Sequence, residues 1–241
     1  FYPKWQRAID ILTGPLQTTI IANSRAVQED NRQWALLPKQ KLITIYNGIG
    51  EECFQRLDEV QRRQLKSNLQ LPLHEAVVGI VGRLSPEKDH ATFLAAAERV
   101  LQMMGNSVFL IVGDGALRMW VESEIQRRGL TGRVLLLGER RDAKQIMQIL
   151  DVLVLTSVSE GLPNVLLEGA ASGIAAVTTA AGGAAEVVVD GETGYIVPCC
   201  DWRQMGDRIV ALLKNPQLRK QFGSAAQRRM RTCFEPNTIA R

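Results

Sequence analysis

The sequence is poor in the residues that build metal centres and disulfide frameworks, since its 241 residues include only two histidines and four cysteines. The cysteines have no metal-ligand spacing, and the adjacent pair is poorly placed to bridge itself; they are Cys53, Cys199, Cys200 and Cys233. We therefore expect free thiols in a reducing, cytosolic setting. His74 and His90 have no partner at a recognisable spacing, and we expect both to be solvated rather than catalytic.

Long apolar runs and basic leader segments are also missing. No run approaches the roughly 18 apolar residues of a membrane span, so we expect no transmembrane helix. No basic start is followed by an apolar core, so no signal peptide is expected, although the chain begins at Phe1 without a Met. The formal net charge of +4 favours anionic partners such as nucleotides, phospholipid surfaces or nucleic acid only weakly, and a solvated surface is its commoner cause.

From residue 76 onward, short apolar runs alternate with segments of helical period. The runs predict strands at 76–82, 107–113, 133–138, 151–157, 174–179 and 194–198. Helices are predicted at 91–103, 116–128, 143–150 and 163–172, and another follows Asp201, its expected N-cap, with Pro216 beyond its end. Apolar strands that alternate with helices predict an α/β fold with a Rossmann-like, doubly wound parallel sheet.

The first 75 residues fit this alternation less well. Segments 18–24 and 41–46 look like strands, but they precede the regular pattern. The stretch 51–72 is charged, rich in Gln and weakly periodic, and it ends at Pro72, so we interpret it as a connector. Residues 1–50 are then predicted to be the tail end of a different domain.

Polar residues gather at the predicted carboxyl ends of the strands, where open α/β sheets bind their ligands. The segments that leave the first five strands bring arginine, lysine, glycines and two glutamates to one edge; they are 82–89, 113–118, 138–142, 157–164 and 179–186. The sequence therefore predicts a glycine-lined anion site at this edge.

A nucleoside diphosphate fits such a site. Arg83 offers a planar fork and Lys88 a mobile point charge, and together they can neutralise a diphosphate. The helix predicted to begin at Pro163, a residue suited to a first helical position, directs unpaired N–H groups and a positive dipole end to the same place. Gly161 and the pair Gly182–Gly183 would allow the backbone to approach a ligand closely.

Two carboxylates eight positions apart complete the predicted site. Glu168 lies in an otherwise apolar run, and an ionised carboxylate can accept from two vicinal ribose hydroxyls at once. Those bonds and the helix dipole would offset the cost of burying it. Glu160, in the turn ahead of the helix, would reach the other moiety of the ligand, such as a sugar.

Each of these residues also has a simpler interpretation. Arg83 and Lys88 are compatible with an ordinary solvated surface, and Glu168 with pairing to a core Arg or Lys. The Gly-Asp-Gly at 113–115 lacks the third glycine of a dinucleotide fingerprint, which argues against a dehydrogenase. The basic segment 217–231 is interpreted as an exposed helical face, with membrane contact as the alternative.

Six segments, in this order, resemble the retaining GT-B glycosyltransferases of the group 1 (family 4) type. They are IYNGI (45–49), GRLSPEKD (82–89), IVGDG (111–115), LGERRD (137–142), SEGLPNVLLEGAASG (159–173) and AGGAAEVVVDGETGYIVP (181–198). The resemblance covers roughly residues 18–235, and the spacing Glu160-x7-Glu168 is the signature of that family.

The resemblance implies two Rossmann-like domains with the active site between them, the C-terminal domain binding the nucleotide-sugar donor and the N-terminal domain the acceptor. It implies that Arg83 and Lys88 hold the donor diphosphate and that Glu168 binds the ribose. Glu160 would contact the donor sugar and stabilise its oxocarbenium-like transition state. The backbone of Leu162, Pro163, Asn164 and Val165 would meet the β-phosphate or sugar, and Glu139 and Arg140 would line the base. Gly82 and Gly161 would be further donor-binding residues.

The family needs no metal, and its usual mechanism is front-face transfer with retention, in which a donor phosphate oxygen takes the acceptor proton. This chain departs from the family pattern at Ala175, commonly Pro, and at Cys199–Cys200, where a Pro- or Gly-rich turn is usual. The IYNGI motif normally closes the acceptor domain, so most of that domain is expected to precede Phe1. The returning C-terminal helix is expected to continue past Arg241.

We therefore predict the donor-binding half of a cytoplasmic glycosyltransferase, with or without contact at the inner face of the membrane. It would move a hexosyl unit from a UDP- or GDP-sugar to a saccharide or lipid-linked acceptor, without a cofactor or a nucleic-acid partner. The predicted parts are an acceptor-domain tail (1–50), a connector (51–75), the donor domain (76–233) and a returning segment (234–241). The alternatives are an epimerase or phosphorylase on the same plan, and a non-catalytic nucleotide-sugar binding module.

Overall fold

A six-stranded parallel sheet forms the centre of the molecule in the computed structural model, which describes residues 4–34 and 39–235. Its strands are β3 (Ala76–Val81), β4 (Ser107–Val112), β5 (Val134–Gly138), β6 (Val152–Leu155), β7 (Ala176–Thr179) and β8 (Gly194–Val197). The spatial order is β5-β4-β3-β6-β7-β8, and every neighbouring pair is parallel. This is the order of a Rossmann sheet, which reverses direction between β3 and β6. The predicted fold class is confirmed.

Helices connect these strands and cover both faces of the sheet. They are α4 (His90–Met103), α5 (Arg118–Arg127), α6 (Ala143–Gln148), α7 (Asn164–Ala171), α8 (Ala184–Val187), α9 (Trp202–Lys214) and α10 (Pro216–Cys233). The predicted strands and helices of this region are found with their ends shifted by one or two residues. Asp201 is the N-cap of α9, as predicted, and accepts from the Gln204 amide at 2.9 Å.

Two apolar layers explain why the strands are apolar throughout. Residues that alternate along one strand point to opposite faces, so Val77 belongs to one buried cluster and Val78 to the other. The first cluster is completed by α7 and α10 and the second by α4 and α9. The segment 217–231 is helical as predicted, but it is not merely an exposed face, because Phe222, Ala226 and Met230 of α10 are buried.

The N-terminal part forms a separate two-stranded parallel sheet. It contains α1 (Lys4–Thr13), β1 (Ile20–Ala22), α2 (Arg25–Trp34) and β2 (Leu42–Thr44), with Ile20 paired to Leu42. Both predicted strands are present but shorter than expected. Ile21 and Ile43 are directly paired and lie exposed on one side of this sheet.

The stretch interpreted as a connector carries regular structure of its own. It forms a 3-10 helix (Glu51–Phe54) and α3 (Glu59–Asn68), whose start has a capping box made by Asp58 and Gln61. None of the residues of α3 is fully buried, which explains the weak periodicity of its sequence. Cys53, Phe54 and Leu71 pack into the core of the large sheet. No helix of the described ranges, 4–34 and 39–235, is long and apolar enough to cross a membrane.

Candidate functional site

The loops after β3, β6 and β7 meet at the switch point of the sheet and are bonded to one another. The Val158 amide donates to the Glu87 carbonyl at 2.9 Å, and the Thr156 hydroxyl donates to the Lys88 carbonyl at 2.7 Å. The Gly183 amide donates to the Gly161 carbonyl at 2.8 Å. These bonds fix the spacing of three loops that sequence analysis assigned to one site.

A lysine–glutamate pair lies at the centre of these loops. Lys88 Nζ is 2.5 Å from Glu160 Oε1, and the Ser157 hydroxyl donates to the same oxygen at 2.6 Å. The two charged side chains are only 19% and 11% exposed. Each partner offsets the desolvation of the other, so the pair forms a nearly buried, charge-balanced centre. The structure thus brings together Lys88 and Glu160, which lie 72 positions apart in the sequence.

Arg83 lies on the same β3 loop as Lys88, but its side chain is exposed. The Ser85 hydroxyl donates to Glu87 at 2.6 Å, and this bond is the main reason why the pKa of Glu87 is lowered. The charge of Arg83 adds to this shift of the pKa. The loop therefore holds one cation within the site and a second cation at its rim.

A glycine is required where the β7 loop passes the β6 loop. Gly182 has φ +49°, and a Cβ there would lie 1.8 Å from the Glu160 carbonyl oxygen. A side chain would therefore push apart the two loops that frame Glu160. Gly161 is close to the N-terminal part, since a Cβ there would approach the Asn23 side chain to 2.9 Å.

The start of α7 faces the same edge of the sheet. Pro163 is the N-cap rather than the first helical residue, which corrects the prediction, and it makes no side-chain cap. Leu162 and Pro163 are buried. Asn164 is exposed, and its Oδ1 accepts from Asn47 Nδ2 at 2.7 Å. The first amides of α7, those of Asn164 and Val165, receive no side-chain cap from the part of the chain that the structure describes.

Glu168 is not the buried charge that its apolar sequence neighbours suggested. Its side chain is 29% exposed, and Oε1 lies 3.7 Å from Lys144 Nζ of α6. Leu166 and Leu167 beside it face the core instead. Its charged partner is thus a lysine on the surface of α6, and not the core Arg or Lys of the simpler interpretation. Lys144 Nζ also lies 3.6 Å from the Cys53 thiol, whose pKa is raised by burial.

The two residues assigned to the base lie in the loop after β5, and both are exposed. Arg140 makes a bidentate pair with Asp142, at 2.8 Å for both bonds. Gly82 directly follows β3, and its amide donates to the Val112 carbonyl at 2.9 Å. This bond holds the start of the β3 loop next to β4. No contact joins Glu139 or Arg140 to the lysine–glutamate pair among the described residues.

Glu186 of α8 holds the N-terminal part against the site, a role that sequence analysis missed. Its carboxylate accepts from the amides of Arg25 and Ala26, at 3.0 and 2.9 Å, and from the Tyr46 hydroxyl at 2.7 Å. Burial, together with the Glu186 carboxylate, raises the pKa of Tyr46 to about 12. These contacts of Glu186 place Asn23 beside Gly161 and Asn47 beside Asn164. No local pattern could reveal this role of Glu186, because its partners are 140 to 161 positions away.

His90 is buried, against the prediction that both histidines are solvated. It is the first residue of α4 and is 1% exposed, and neither ring nitrogen has a partner among the described residues. Burial lowers the pKa of His90 to about 4, so the ring is neutral at pH 7. His74 is exposed, as predicted. Within residues 4–34 and 39–235, no group of three or more His, Cys, Asp or Glu side chains could hold a metal ion.

The doubly wound sheet, with charged and glycine-bearing loops at its switch point, defines a Rossmann-like domain. Residues 61–229 match the family Glycosyl transferases group 1, and the chain belongs to this family. The resemblance drawn from the six sequence segments is thereby confirmed at the level of the family.

Two relatives of similar sequence support the assignment to this family. The chain is 28% identical over 198 residues to the Vi polysaccharide biosynthesis protein VipC/TviE of Salmonella typhi, covering 82% of this chain and 34% of that protein. It is 30% identical over 202 residues to the UDP-Gal:alpha-D-GlcNAc-diphosphoundecaprenol alpha-1,3-galactosyltransferase of Escherichia coli, covering 82% and 51%. The chain thus spans about a third of the length of the Salmonella typhi protein and about half of the length of the Escherichia coli protein.

A solved structure matches almost all of the chain. Anabaena HepE in complex with UDP and glucose superposes with a TM-score of 0.91 at 26% identity, covering 99% of this chain and 65% of that one. WaaG, a glycosyltransferase involved in lipopolysaccharide biosynthesis, has a TM-score of 0.79 at 18% identity, covering 91% of this chain and 61% of that one. The likeness to WaaG concerns the fold alone.

Proposed function

We propose that this chain is the donor-binding part of a retaining, metal-independent glycosyltransferase that takes a hexosyl unit from a UDP-sugar. The observation that carries the proposal is the Lys88–Glu160 pair at the switch point, 2.5 Å apart and beside the uncapped start of α7. The structurally similar HepE is in complex with UDP and glucose, which favours UDP over the GDP that the sequence left open. The predicted division into an acceptor-domain tail (1–50) and a donor domain (76–233) is part of this proposal.

The diphosphate of the donor would bind between the β3 loop and α7. Lys88 supplies a nearly buried ammonium group with three donors, and Arg83 supplies an exposed guanidinium at the rim. The free amides of Asn164 and Val165 add two donors and the positive end of the helix dipole. These cations and dipoles would stabilise the charge that develops on the diphosphate as the glycosidic bond breaks.

The nucleoside would extend from the diphosphate toward α6. Glu168 faces Lys144 at 3.7 Å in a half-exposed pair, and a pair of this kind is readily exchanged for ribose hydroxyls. The loop with Glu139 and Arg140 lies further along the same edge of the sheet, where the base would stack or bond. Gly82 and Gly161 would allow the donor to approach the backbone, and Leu162 would contribute its backbone only.

The sugar would lie against Glu160. One carboxylate oxygen of Glu160 is bonded to Lys88 and Ser157, and the other has no partner among the described residues. That second oxygen is free to accept from a sugar hydroxyl and to face the positive charge of an oxocarbenium-like transition state. A phosphate oxygen of the donor would take the proton of the acceptor hydroxyl, so transfer would proceed on the front face with retention of configuration.

The acceptor would enter from the N-terminal side, where Asn23 and Asn47 border the site. The diphosphoundecaprenol acceptor in the name of the Escherichia coli relative supports a lipid-linked saccharide as acceptor, and hence peripheral contact with the inner face of the membrane. By itself this chain should bind nucleotide but transfer little or no sugar, because it spans only about half the length of the Escherichia coli relative.

Calorimetric titration with UDP, UMP, GDP and ADP tests the proposal on the wild-type chain and on Lys88→Met. UDP should bind most tightly, and the variant should lose most of the advantage of UDP over UMP, because that advantage depends on the β-phosphate. Lys214→Met removes an exposed lysine at the end of α9 and should leave binding unchanged. Equal affinity of wild type and Lys88→Met for UDP would contradict the proposed site.

A further inference from the structure

Ser157 is the most firmly anchored of the groups that touch Glu160. It is the second residue after the end of β6 and is fully buried. Its carbonyl oxygen accepts from the Thr179 hydroxyl at 2.6 Å and from the Cys199 thiol at 3.8 Å. The backbone of Ser157 is therefore held by β7 and by Cys199, and its buried hydroxyl lies 2.6 Å from Glu160 Oε1.

Lys88 shares the same oxygen of Glu160 but is held in a different way. Its ammonium group is at the end of a flexible side chain, is 19% exposed and has three hydrogens to donate. In the proposed function those hydrogens also serve the diphosphate, which is a stronger attractor than one carboxylate oxygen. Ligand binding would thus weaken the hold of Lys88 on Glu160, whereas the hold of Ser157 would not change.

We infer that Ser157 is a positioning residue that keeps Glu160 directed at the donor sugar when Lys88 turns to the diphosphate. This inference rests on the proposed function. The Ser157 hydroxyl occupies one oxygen of the carboxylate, so the rotamer of Glu160 is fixed and its second oxygen is presented to the ligand. A carboxylate ordered before binding loses less side-chain freedom when the sugar arrives.

If Ser157 has this role, its loss should weaken the binding of the sugar but not the binding of UDP, a difference that a general structural role would not produce. The contribution of the sugar to affinity should depend on Ser157, because the sugar meets Glu160. The contribution of UDP should not depend on it, because UDP meets Lys88, the start of α7 and Glu168. The ratio of the dissociation constant of UDP-hexose to that of UDP is therefore the informative quantity.

The experiment titrates UDP and three UDP-hexoses, namely UDP-glucose, UDP-galactose and UDP-N-acetylglucosamine, into the wild-type chain, Ser157→Ala and Ser159→Ala. The hexose bound most tightly by the wild type is used for the comparison. Ser159 is an exposed serine of the same loop and provides the matched control. In Ser157→Ala the ratio should rise about tenfold, the effect of losing one hydrogen bond to a charged group, while UDP itself binds within about twofold of wild type.

An unchanged ratio in Ser157→Ala, with UDP bound normally by all three proteins, would overturn the inference and leave the proposed function intact. Equal weakening of UDP and UDP-hexose would also overturn it, since Ser157 would then support the whole site and not Glu160. A wild-type chain that binds none of the four nucleotides would contradict the proposed function, and the inference with it.

Discussion

Replacing Glu168 with alanine should remove the ribose contacts of UDP while leaving the fold nearly intact. Glu168 has only one charged neighbour at bonding distance among the described residues, Lys144, and the two side chains are 29% and 55% exposed at a separation of 3.7 Å. An ion pair this exposed contributes at most about 1 kcal/mol to stability. The melting temperature of the variant should therefore change by only a few degrees.

The effect on UDP affinity should be considerably larger. In the proposed site the carboxylate accepts from both ribose hydroxyls, and hydrogen bonds to a charged group are worth about 1.5–3 kcal/mol. Part of this gain is offset when Glu168 gives up Lys144. We therefore expect Glu168→Ala to weaken UDP by about ten- to a hundredfold.

Comparing UDP with 2′-deoxy-UDP isolates the ribose contact from general damage. The wild-type chain should prefer UDP by about tenfold in a calorimetric titration, and Glu168→Ala should bind the two nucleotides within about twofold of each other. Lys144→Met removes the same ion pair but leaves the carboxylate, so it should keep the preference of the wild type. A preference for UDP that persists unchanged in Glu168→Ala would refute the placement of the ribose at Glu168.

Two further predictions concern the frame around the site. Glu186→Ala should speed hydrogen exchange of the Ala26 amide by about tenfold, because the side chain that accepts from this amide at 2.9 Å is removed. Glu192→Ala, a change at an exposed acid, should not speed it, and equal exchange of the Ala26 amide in both variants would contradict the proposed role of Glu186. The pKa of His90 is about 4 in the folded chain and 6.5 in the unfolded chain, so the unfolded chain binds the proton first as the pH falls. The free energy of unfolding should therefore decrease by about 3 kcal/mol between pH 6.5 and pH 4. Urea unfolding at both ends of this range should show this loss in wild type and in His74→Gln but not in His90→Leu, and identical losses in all three proteins would contradict it.

The elements from residue 76 onward could be predicted because strands covered on both faces must be apolar throughout, as in β4, where all six residues are buried. The meeting of Lys88 and Glu160 also followed from sequence, since both leave strands at the carboxyl edge of one sheet. The retaining mechanism rests on the resemblance alone, and it stays a prediction, as do the site assignments and the domain boundaries.

Other features lay beyond local sequence pattern. The helix α3 buries no residue fully, so its weak period looked like a connector. The half-exposed position of Glu168 depends on where α6 places Lys144, which no pattern within α7 encodes. The roles of Ser157 and Glu186 arise from contacts across loops that only the folded chain brings together.

A crystal structure of this chain with UDP-glucose tests the central claim most directly. The account predicts a β-phosphate oxygen within hydrogen-bonding distance of Lys88 Nζ and of the first amides of α7, with the ribose hydroxyls on Glu168 and the glucose beside Glu160. It also predicts that Lys144 separates from Glu168. A nucleotide bound elsewhere, with the Lys88–Glu160 and Lys144–Glu168 pairs unchanged, would contradict the account.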